Sequence, residues 1–192
     1  MKGLTIMLLF DKPGEENTKL AIMEGIKRGL DLGITSYIIA SGSGKSAFLL
    51  EELLRENVVE ITVVTHCTGF IKPDFQELSN ENREKLIKKG INIVTATHAL
   101  GTVGRAVRRK YGTYEIDEII ANSLRIFGQG LKVCVEISMM AADAGFVSTT
   151  KPAVVFGGTG TGIDCVVILK PENTHNFFDI KINEIICKPK LF

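Results

Sequence analysis

The sequence predicts a single α/β domain over residues 1–192, with a mostly parallel sheet, helices on both faces and a β-rich C-terminal extension. Short β-branched segments alternate with segments of helical periodicity through the first half of the chain. Glycine-rich loops directly follow two of the predicted strands, where open parallel sheets bind ligands. A hydrophobic content of 45% and a charged content of 23% exclude a disordered chain, a coiled coil and a collagen-like chain.

The first half of the chain alternates regularly between strands and helices. Four short apolar segments predict buried strands, at residues 4–10, 36–40, 60–65 and 91–95. A first helix is predicted from Asn17 or Thr18 to Gly33, and its buried stripe is expected at Leu20, Met23, Ile26 and Leu30. A second helix is predicted from the helical spacing of Ala47, Leu50 and Leu54. A third, polar helix is predicted over residues 74–89.

The second half has a different character. Residues 97–112 contain Gly101, Gly104 and a basic run, and we expect a loop there. Helices are predicted over residues 116–127 and 131–144, the first with an apolar stripe at Ile116, Ile119, Ile120, Leu124 and Phe127. Three further strands are predicted at residues 152–156, 165–170 and 178–187.

Charge and cysteine content restrict the partners that we expect. The chain has 23 basic and 22 acidic residues, a net charge of +1, so no overall field attracts nucleic acid or a membrane surface. The four cysteines are widely spaced and form no CxxC pair, which favours reduced thiols in a cytoplasmic protein. The apolar run Leu4–Phe10 is too short for a signal peptide, and no stretch approaches the ~20 apolar residues of a membrane span.

The most informative segment joins a predicted strand to a predicted helix. It consists of Ser41, Gly42, Ser43, Gly44, Lys45 and Ser46. Backbone N–H groups and the helix dipole converge at such a junction, and glycines let an anion approach the backbone closely. The segment therefore predicts a phosphate-binding loop, unless it is only a tight turn.

Three phosphate motifs compete for this loop. Gly44-Lys45-Ser46 matches the end of a Walker loop, but the position of its first glycine falls on Ile39. Gly42, Gly44 and Ala47 match the dinucleotide pattern GxGxxG/A, but the next strand ends without the acidic residue that holds a ribose. A mononucleotide or sugar-phosphate site requires only the anion-binding loop.

Other candidate ligand residues follow predicted strands at the same sheet edge. Thr65 and His66 end one strand and Thr97 and His98 follow the next, although a structural role for both histidines stays open. A second glycine loop supplies Gly157, Gly158, Thr159, Gly160 and Thr161, which form either a mobile hairpin or a close approach to a ring or phosphate.

Two further groups of charged residues have competing interpretations. The basic run Arg105–Lys110 is either a solvated helix face, a second anion site or an RNA surface. Glu136 and Asp143 lie on one face of a predicted helix, and we favour structural pairing with basic partners over a site role. No catalytic residue and no metal ligand can be assigned from the spacing of the chemically active residues.

The sequence resembles a known family at specific motifs. Residues 17–47, NTKLAIMEGIKRGLDLGITSYIIASGSGKSA, resemble the start of the pyruvate kinase C-terminal domain, whose corresponding loop binds an effector phosphate. The resemblance extends to about Thr95, and the catalytic barrel of pyruvate kinase is absent. The later blocks KVCVEISMMAADAG and FGGTGTGID resemble stand-alone relatives of that domain that are associated with flavin mononucleotide (FMN).

The resemblance implies a pyruvate kinase C-terminal domain-like fold that binds FMN, with the phosphate at Ser41–Ser46 and the ring near His66, His98 and the second glycine loop. It leaves two options open, a flavin-dependent oxidoreductase of unknown substrate and a non-catalytic sensor of phosphorylated metabolites. The expected partner is a small phosphorylated ligand rather than nucleic acid or membrane, and a homo-oligomer is one further option.

Overall fold

The computed structural model describes residues 6–54 and 56–190. Within this part seven strands form one sheet in the order β1-β7-β6-β5-β2-β3-β4. The strands are β1 (Leu8–Phe10), β2 (Ser36–Ala40), β3 (Glu60–Thr65), β4 (Asn92–Thr95), β5 (Ala153–Gly157), β6 (Cys165–Lys170) and β7 (Lys181–Pro189). β2, β3, β4 and β5 pair in parallel, and β6 is antiparallel to both of its neighbours. The predicted α/β class with a mostly parallel sheet is confirmed.

Six helices cover the two faces of this sheet within the described residues. They are α1 (Thr18–Asp31), α2 (Lys45–Leu54), α3 (Asn80–Lys88), α4 (Val103–Tyr111), α5 (Ile116–Arg125) and α6 (Gln129–Asp143). Helices α1, α2 and α3 contribute to one apolar core, and α5 and α6 contribute to the other. Successive strand residues point to opposite faces, so Tyr37 and Ile39 lie in the first core and Ile38 lies in the second.

Helix α1 buries a different face from the predicted one. Leu20, Met23 and Leu30 are all more than 40% exposed, and only Ile26 of the predicted stripe is buried. The buried side of the helix instead includes Ala21, Ile22, Gly25 and Gly29. A Cβ atom at Gly25 would lie 2.5 Å from the Phe156 ring, and one at Gly29 would lie 2.7 Å from Val154. Small residues therefore bring α1 close to the sheet and leave the larger side chains outside.

Helix α5 also differs from its predicted apolar stripe. Ile116, Ile119 and Phe127 are exposed, whereas Ile120 and Leu124 pack against the second core as predicted. Glu118 and Ala121 are the buried residues of this helix, because Glu118 pairs with Arg108 on α4. The charged partner thus decides which side of α5 faces inward.

Several predicted boundaries are wrong. The predicted loop at residues 97–112 contains helix α4, which carries the basic run, and the third helix begins at Asn80 rather than at residue 74. The first strand covers only Leu8–Phe10 at the sheet edge with Leu9 42% exposed, while the predicted residues 4 and 5 lie outside the described part. The last strand begins at Lys181, after a 3-10 helix at Thr174–Asp179. No helix in the described ranges is long and apolar enough to cross a membrane.

Candidate functional site

A cavity of about 730 Å³ opens at the carboxyl edge of the parallel strands. Its lining includes residues at the carboxyl ends of β2 and β3 and the loop that follows β5. The strand order reverses between β2 and β5, because the chain leaves β2 toward β3 and returns beside β2 as β5. Open α/β sheets bind ligands in the crevice at such a reversal, and the volume lies within the roughly 300–1,000 Å³ of ligand pockets.

The predicted phosphate loop forms what we call the outer end of the cavity. Five of its six residues line it: Ser41, Gly42, Ser43, Lys45 and Ser46. Gly44 does not line it, because it is buried beside Leu78 with a φ of +94° that favours glycine. The loop therefore contributes to the cavity as predicted, with Gly44 as a structural residue.

Hydrogen bonds fix the loop while leaving N–H groups available. Ser41 donates its N–H to Val64 O at 3.0 Å, and Asn82 donates its side-chain amide to Ser43 O at 3.1 Å. Within the described residues, the N–H groups of Gly44, Lys45 and Ser46 make no hydrogen bond to the protein. These groups lie at the N-terminus of α2, where the helix dipole favours an anion.

An acidic residue that the sequence analysis did not identify lies at the outer end. Glu15 pairs with Lys45, although both side chains are largely exposed, at 45% and 80%. Glu15, Glu16, Thr18 and Lys19 line the cavity opposite the phosphate loop. The predicted phosphate-binding lysine is therefore already paired with a carboxylate across the mouth of the cavity.

The two strand-end histidines lie together in the cavity wall. The ring centroids of His66 and His98 are 5.4 Å apart, and Phe70 stacks on His66 at 4.1 Å. Nδ1 of His66 lies 2.5 Å from Oε2 of Glu77, and this hydrogen bond fixes the orientation of the imidazole ring. Glu77 and Phe70 were not predicted, since they come from the irregular segment before α3.

The predicted threonines contribute unequally. Thr65 lines the cavity, and its hydroxyl group lies 2.8 Å from the hydroxyl of Thr95, which also accepts from Arg83. Thr97 is exposed and does not line the cavity, because the chain turns away after β4 before His98 returns to it. Thr65 therefore braces the strand ends, and the prediction for Thr97 is not supported by its position.

A buried ion pair lines a second part of the cavity. We define the inner end of the cavity as the part lined by Arg105, Arg125, Lys132 and Glu136. Nζ of Lys132 lies 2.5 Å from Oε2 of Glu136, and both side chains are less than 10% exposed. Oε1 of Glu136 accepts the N–H of Leu100 at 3.0 Å. Glu136 therefore has the basic partner that the sequence analysis favoured, and it also faces the cavity.

The same cluster of charges acts on His98. Burial lowers the pKa of His98, Glu136 opposes this effect, and His66, Lys132 and Arg105 lower the pKa further. Burial also lowers the pKa of Lys132, against the effect of its bond to Glu136. His98 is therefore a neutral imidazole at pH 7, available as a donor or an acceptor.

The second glycine loop uses its glycines mainly for packing on the chain itself. A Cβ atom at Gly157 would lie 2.8 Å from Cys134 Sγ, and one at Gly158 would lie 2.9 Å from the carbonyl carbon of Gly162. Gly158, Gly160 and Thr161 line the cavity, but Gly157 and Thr159 do not. Gly157 is buried against α6, and its carbonyl oxygen accepts the N–H of Asp164 at 3.1 Å.

Buried Asp164 ties this loop to the start of the chain. Its Oδ2 accepts the N–H of Gly14 at 3.1 Å, and the hydroxyl of Thr18 accepts the N–H of Ile163 at 3.0 Å. Burial raises the pKa of Asp164, and the bond from Gly14 opposes it. The two contacts hold the Glu15–Asn17 turn at the mouth of the cavity.

The remaining charged residues separate into different environments. Of the basic run, Arg105 lines the cavity, Arg108 pairs with Glu118, and Arg109 and Lys110 are exposed. Asp143 does not have a basic hydrogen-bond partner, contrary to expectation; it accepts bonds from Asn173 and Thr174 and caps the 3-10 helix. The expected shared face of Glu136 and Asp143 therefore forms no common site.

A scan of the chain against protein-family models finds no match. In the described ranges no three histidine, cysteine or acidic side chains are grouped as metal ligands. The function must therefore follow from the chemistry of the cavity, whose lining combines available N–H groups at the start of α2, the stacked rings of His66 and Phe70, and a buried ion pair.

Proposed function

We propose that this protein binds a small phosphorylated ligand, FMN, in the cavity at the carboxyl edge of the sheet. The observation that carries the proposal is the position of one cavity of about 730 Å³ at the reversal of strand order, with the Ser41–Ser46 loop at one end. A phosphate at that loop accepts from the N–H groups that begin α2 and from the serine hydroxyls.

The middle of the cavity suits a flat, partly apolar ring. Val64, Leu49, Ile137 and Met140 line it together with the stacked rings of His66 and Phe70. Methionine and aromatic side chains make favourable contacts with a ring system, and glycines 158 and 160 leave room beside it. The resemblance to the stand-alone relatives of the pyruvate kinase C-terminal domain supports the assignment of FMN, and it supports that domain's fold for this chain.

A redox role for the bound FMN is part of the same proposal. His98, Lys132 and Glu136 give the inner end of the cavity polar groups that can hold a proton near the ring. A site that only senses a metabolite needs binding contacts alone, whereas an oxidoreductase needs a place for a substrate beside its flavin. We therefore propose a flavin-dependent oxidoreductase acting on a small substrate.

A non-catalytic sensor of phosphorylated metabolites is the second candidate. The Lys45–Glu15 pair favours it, because a phosphate at the loop would compete for Lys45 and release the side chain of Glu15. Such a displacement transmits ligand binding to a surface element. A colourless purified protein that binds glucose 6-phosphate but not FMN would support this candidate over the first.

The absorption spectrum of the purified protein is the first test, and flavin titration of the apoprotein is the second. We expect FMN to bind at least about tenfold more tightly than riboflavin, which lacks the phosphate. Ser43→Asp should remove this preference, because a carboxylate at the loop repels the phosphate while still suiting the N-terminus of α2. Riboflavin affinity should stay unchanged.

Ser79→Asp provides the matched control. Ser79 is the N-cap of α3, where its side chain accepts from Asn82 N, and aspartate serves equally well at that position. This variant adds the same charge at another helix start outside the cavity lining, so FMN affinity should not change. A protein without flavin bands that binds neither flavin contradicts the proposal, and equal affinity for FMN and riboflavin contradicts the phosphate site.

A further inference from the structure

The inner end of the cavity contains more positive charge than its carboxylates neutralise. Lys132 and Glu136 form a one-to-one pair, and the second oxygen of Glu136 is occupied by the N–H of Leu100. Each oxygen of this carboxylate therefore already accepts one hydrogen bond from the protein. The pair contributes two buried, hydrogen-bonded charges and no net charge.

Arg105 supplies a first uncompensated charge. It is partly buried, lines the cavity, and forms no hydrogen bond or ion pair with any residue of the described part. Its guanidinium lies 5.8 Å from the centre of the Phe70 ring, beside the two histidines. Stacking orients the guanidinium while leaving its N–H donors free.

Arg125 is an exposed residue that also lines the cavity and pairs with no carboxylate of the described part. Its bonds go to two neutral amides, 2.7 Å to Gln129 Oε1 and 2.6 Å to Asn122 Oδ1. Arg105, Arg125 and Lys132 all line the same cavity, and the two arginines lower the pKa of Lys132. Of the carboxylates nearby, Glu77 bonds to His66 and Glu118 to Arg108, and Asp117 lies against Gly104 outside the cavity lining.

We propose that this inner end is a subsite for the carboxylate of a small organic acid, held by Arg105 together with Arg125 and Lys132. A guanidinium fork matches the two oxygens of a carboxylate, and partial burial strengthens the bond. The residues of this subsite are distinct from those of the phosphate loop, and Arg105 lies beside Phe70, which packs on His98. Its identification as the substrate site rests on the proposed function, whereas the anion site itself follows from the charges.

The neutral imidazole of His98 gives this subsite a chemical role. An acid bound at Arg105 places its neighbouring carbon atoms beside His98, which can donate or accept a proton there. A carboxylate at this position also adds negative charge near the imidazole and so favours its protonated form. Binding of an acid at the inner end should therefore raise the pKa of His98.

Binding of malonate to the purified protein tests the proposal, with calorimetry for affinity and NMR of the histidine side chains for location. We expect malonate to shift the His98 signals and to bind at least about tenfold more weakly to Arg105→Gln. Arg109→Gln is the matched control, since it removes the same charge from an exposed residue of the same helix outside the cavity. It should retain the affinity of the parent.

Two further variants test whether malonate binds at the inner end or at the phosphate loop. Ser43→Asp should leave malonate binding intact, and Arg125→Gln should weaken it even if Arg105→Gln fails to fold. The subsite would be refuted if the parent did not bind malonate. It would also be refuted if Arg105→Gln and Arg109→Gln lost malonate affinity equally, or if only Ser43→Asp lost it. Tighter Arg105-dependent binding of inorganic phosphate than of malonate would overturn its assignment to carboxylates.

The proposed function and the subsite can fail separately. If the protein binds malonate through Arg105 but does not bind FMN, the proposal of FMN binding is refuted and the carboxylate subsite is supported. A yellow protein whose FMN affinity depends on Ser43 but which does not bind malonate refutes the subsite alone.

Discussion

Two lysine–glutamate pairs line the same cavity and differ in how firmly they are held. Lys45 and Glu15 at the outer end are 80% and 45% exposed, whereas Lys132 and Glu136 at the inner end are 5% and 7% exposed. An exposed pair contributes little to stability, because water and salt solvate its charges separately. A buried pair has lost that solvation, so each charge depends on the other.

The contrast indicates which groups are available for a ligand. At the outer end Lys45 can exchange Glu15 for a phosphate at small cost, so the pair is adjustable. At the inner end neither Lys132 nor Glu136 can leave its partner, and the adjustable cations are Arg105 and Arg125, which pair with no carboxylate in the described part. Substitutions at the two ends of the cavity test whether the outer pair exchanges its partner more readily than the inner pair does.

Loss of the inner carboxylate should have the largest effect. Glu136→Gln leaves the Lys132 ammonium buried without a compensating charge, which typically costs about 3–5 kcal/mol. Urea unfolding of the ligand-free variant at neutral pH measures the loss. Replacing both members, Lys132→Met with Glu136→Leu, should recover most of it, because the unpaired charge is gone. A Glu136→Gln variant as stable as the parent would contradict the contrast between the two pairs.

The two glycine loops should also differ in how much a substitution lowers stability. Gly157→Ala places a methyl group 2.8 Å from Cys134 Sγ on α6, and such overpacking costs about 1–3 kcal/mol. Gly42→Ala meets side-chain atoms alone, Glu77 Oε1 at 3.1 Å and His66 Nδ1 at 3.7 Å, so we expect a smaller loss of stability and weaker FMN binding. Thermal unfolding and flavin titration of both variants measure the two effects. Equal losses of stability would show that the glycines of both loops are required for packing.

Protonation of His98 should make stability depend on pH. Its folded-state pKa lies below the ordinary value of 6.5, so the unfolded chain binds the proton more readily. The free energy of unfolding should therefore decrease as the pH falls below 6.5 and should be insensitive to this group above it. His98→Gln should reduce the slope, and His175→Gln, which changes an exposed histidine, should not. An unchanged slope in His98→Gln would contradict the burial of His98 among Glu136, Lys132, Arg105 and His66.

Local patterns allowed much of the fold and part of the site to be predicted from the sequence. The ends of β2 and β3 are set by short apolar runs, so the Ser41–Ser46 loop, Thr65 and His66 could be placed at the sheet edge. The face of a helix depends on its neighbours, and for this reason α1 was assigned the wrong stripe. Gly25 and Gly29 have no side chain to mark the close contact with the sheet.

Residues of the inner end could not be found by the same reasoning. Arg105 belongs to a basic run that resembles a solvated face, and only the packing of α4 directs it into the cavity. Lys132 lies four residues before Glu136, a spacing common on exposed helices, and nothing local indicates that both are buried. Phe70 lies in an irregular segment and Glu77 in the predicted polar helix that in fact begins at Asn80, so neither was associated with His66, on which Phe70 stacks and to which Glu77 bonds.

Substitutions in the outer pair should have the smallest effects, and the two members should change FMN affinity in opposite directions. Glu15→Gln removes the carboxylate that competes with a phosphate for Lys45, so FMN should bind roughly two- to fivefold more tightly, the range for a single exposed charge pair. Lys45→Ala removes the cation and should weaken FMN binding, while riboflavin affinity should stay constant in both variants. Neither change should alter the unfolding midpoint, since both side chains are largely solvated. High salt should reduce both effects, because exposed charges are screened. If Glu15→Gln instead weakened FMN binding, Glu15 would be a ligand-binding residue, and the outer pair would be no more adjustable than the inner one.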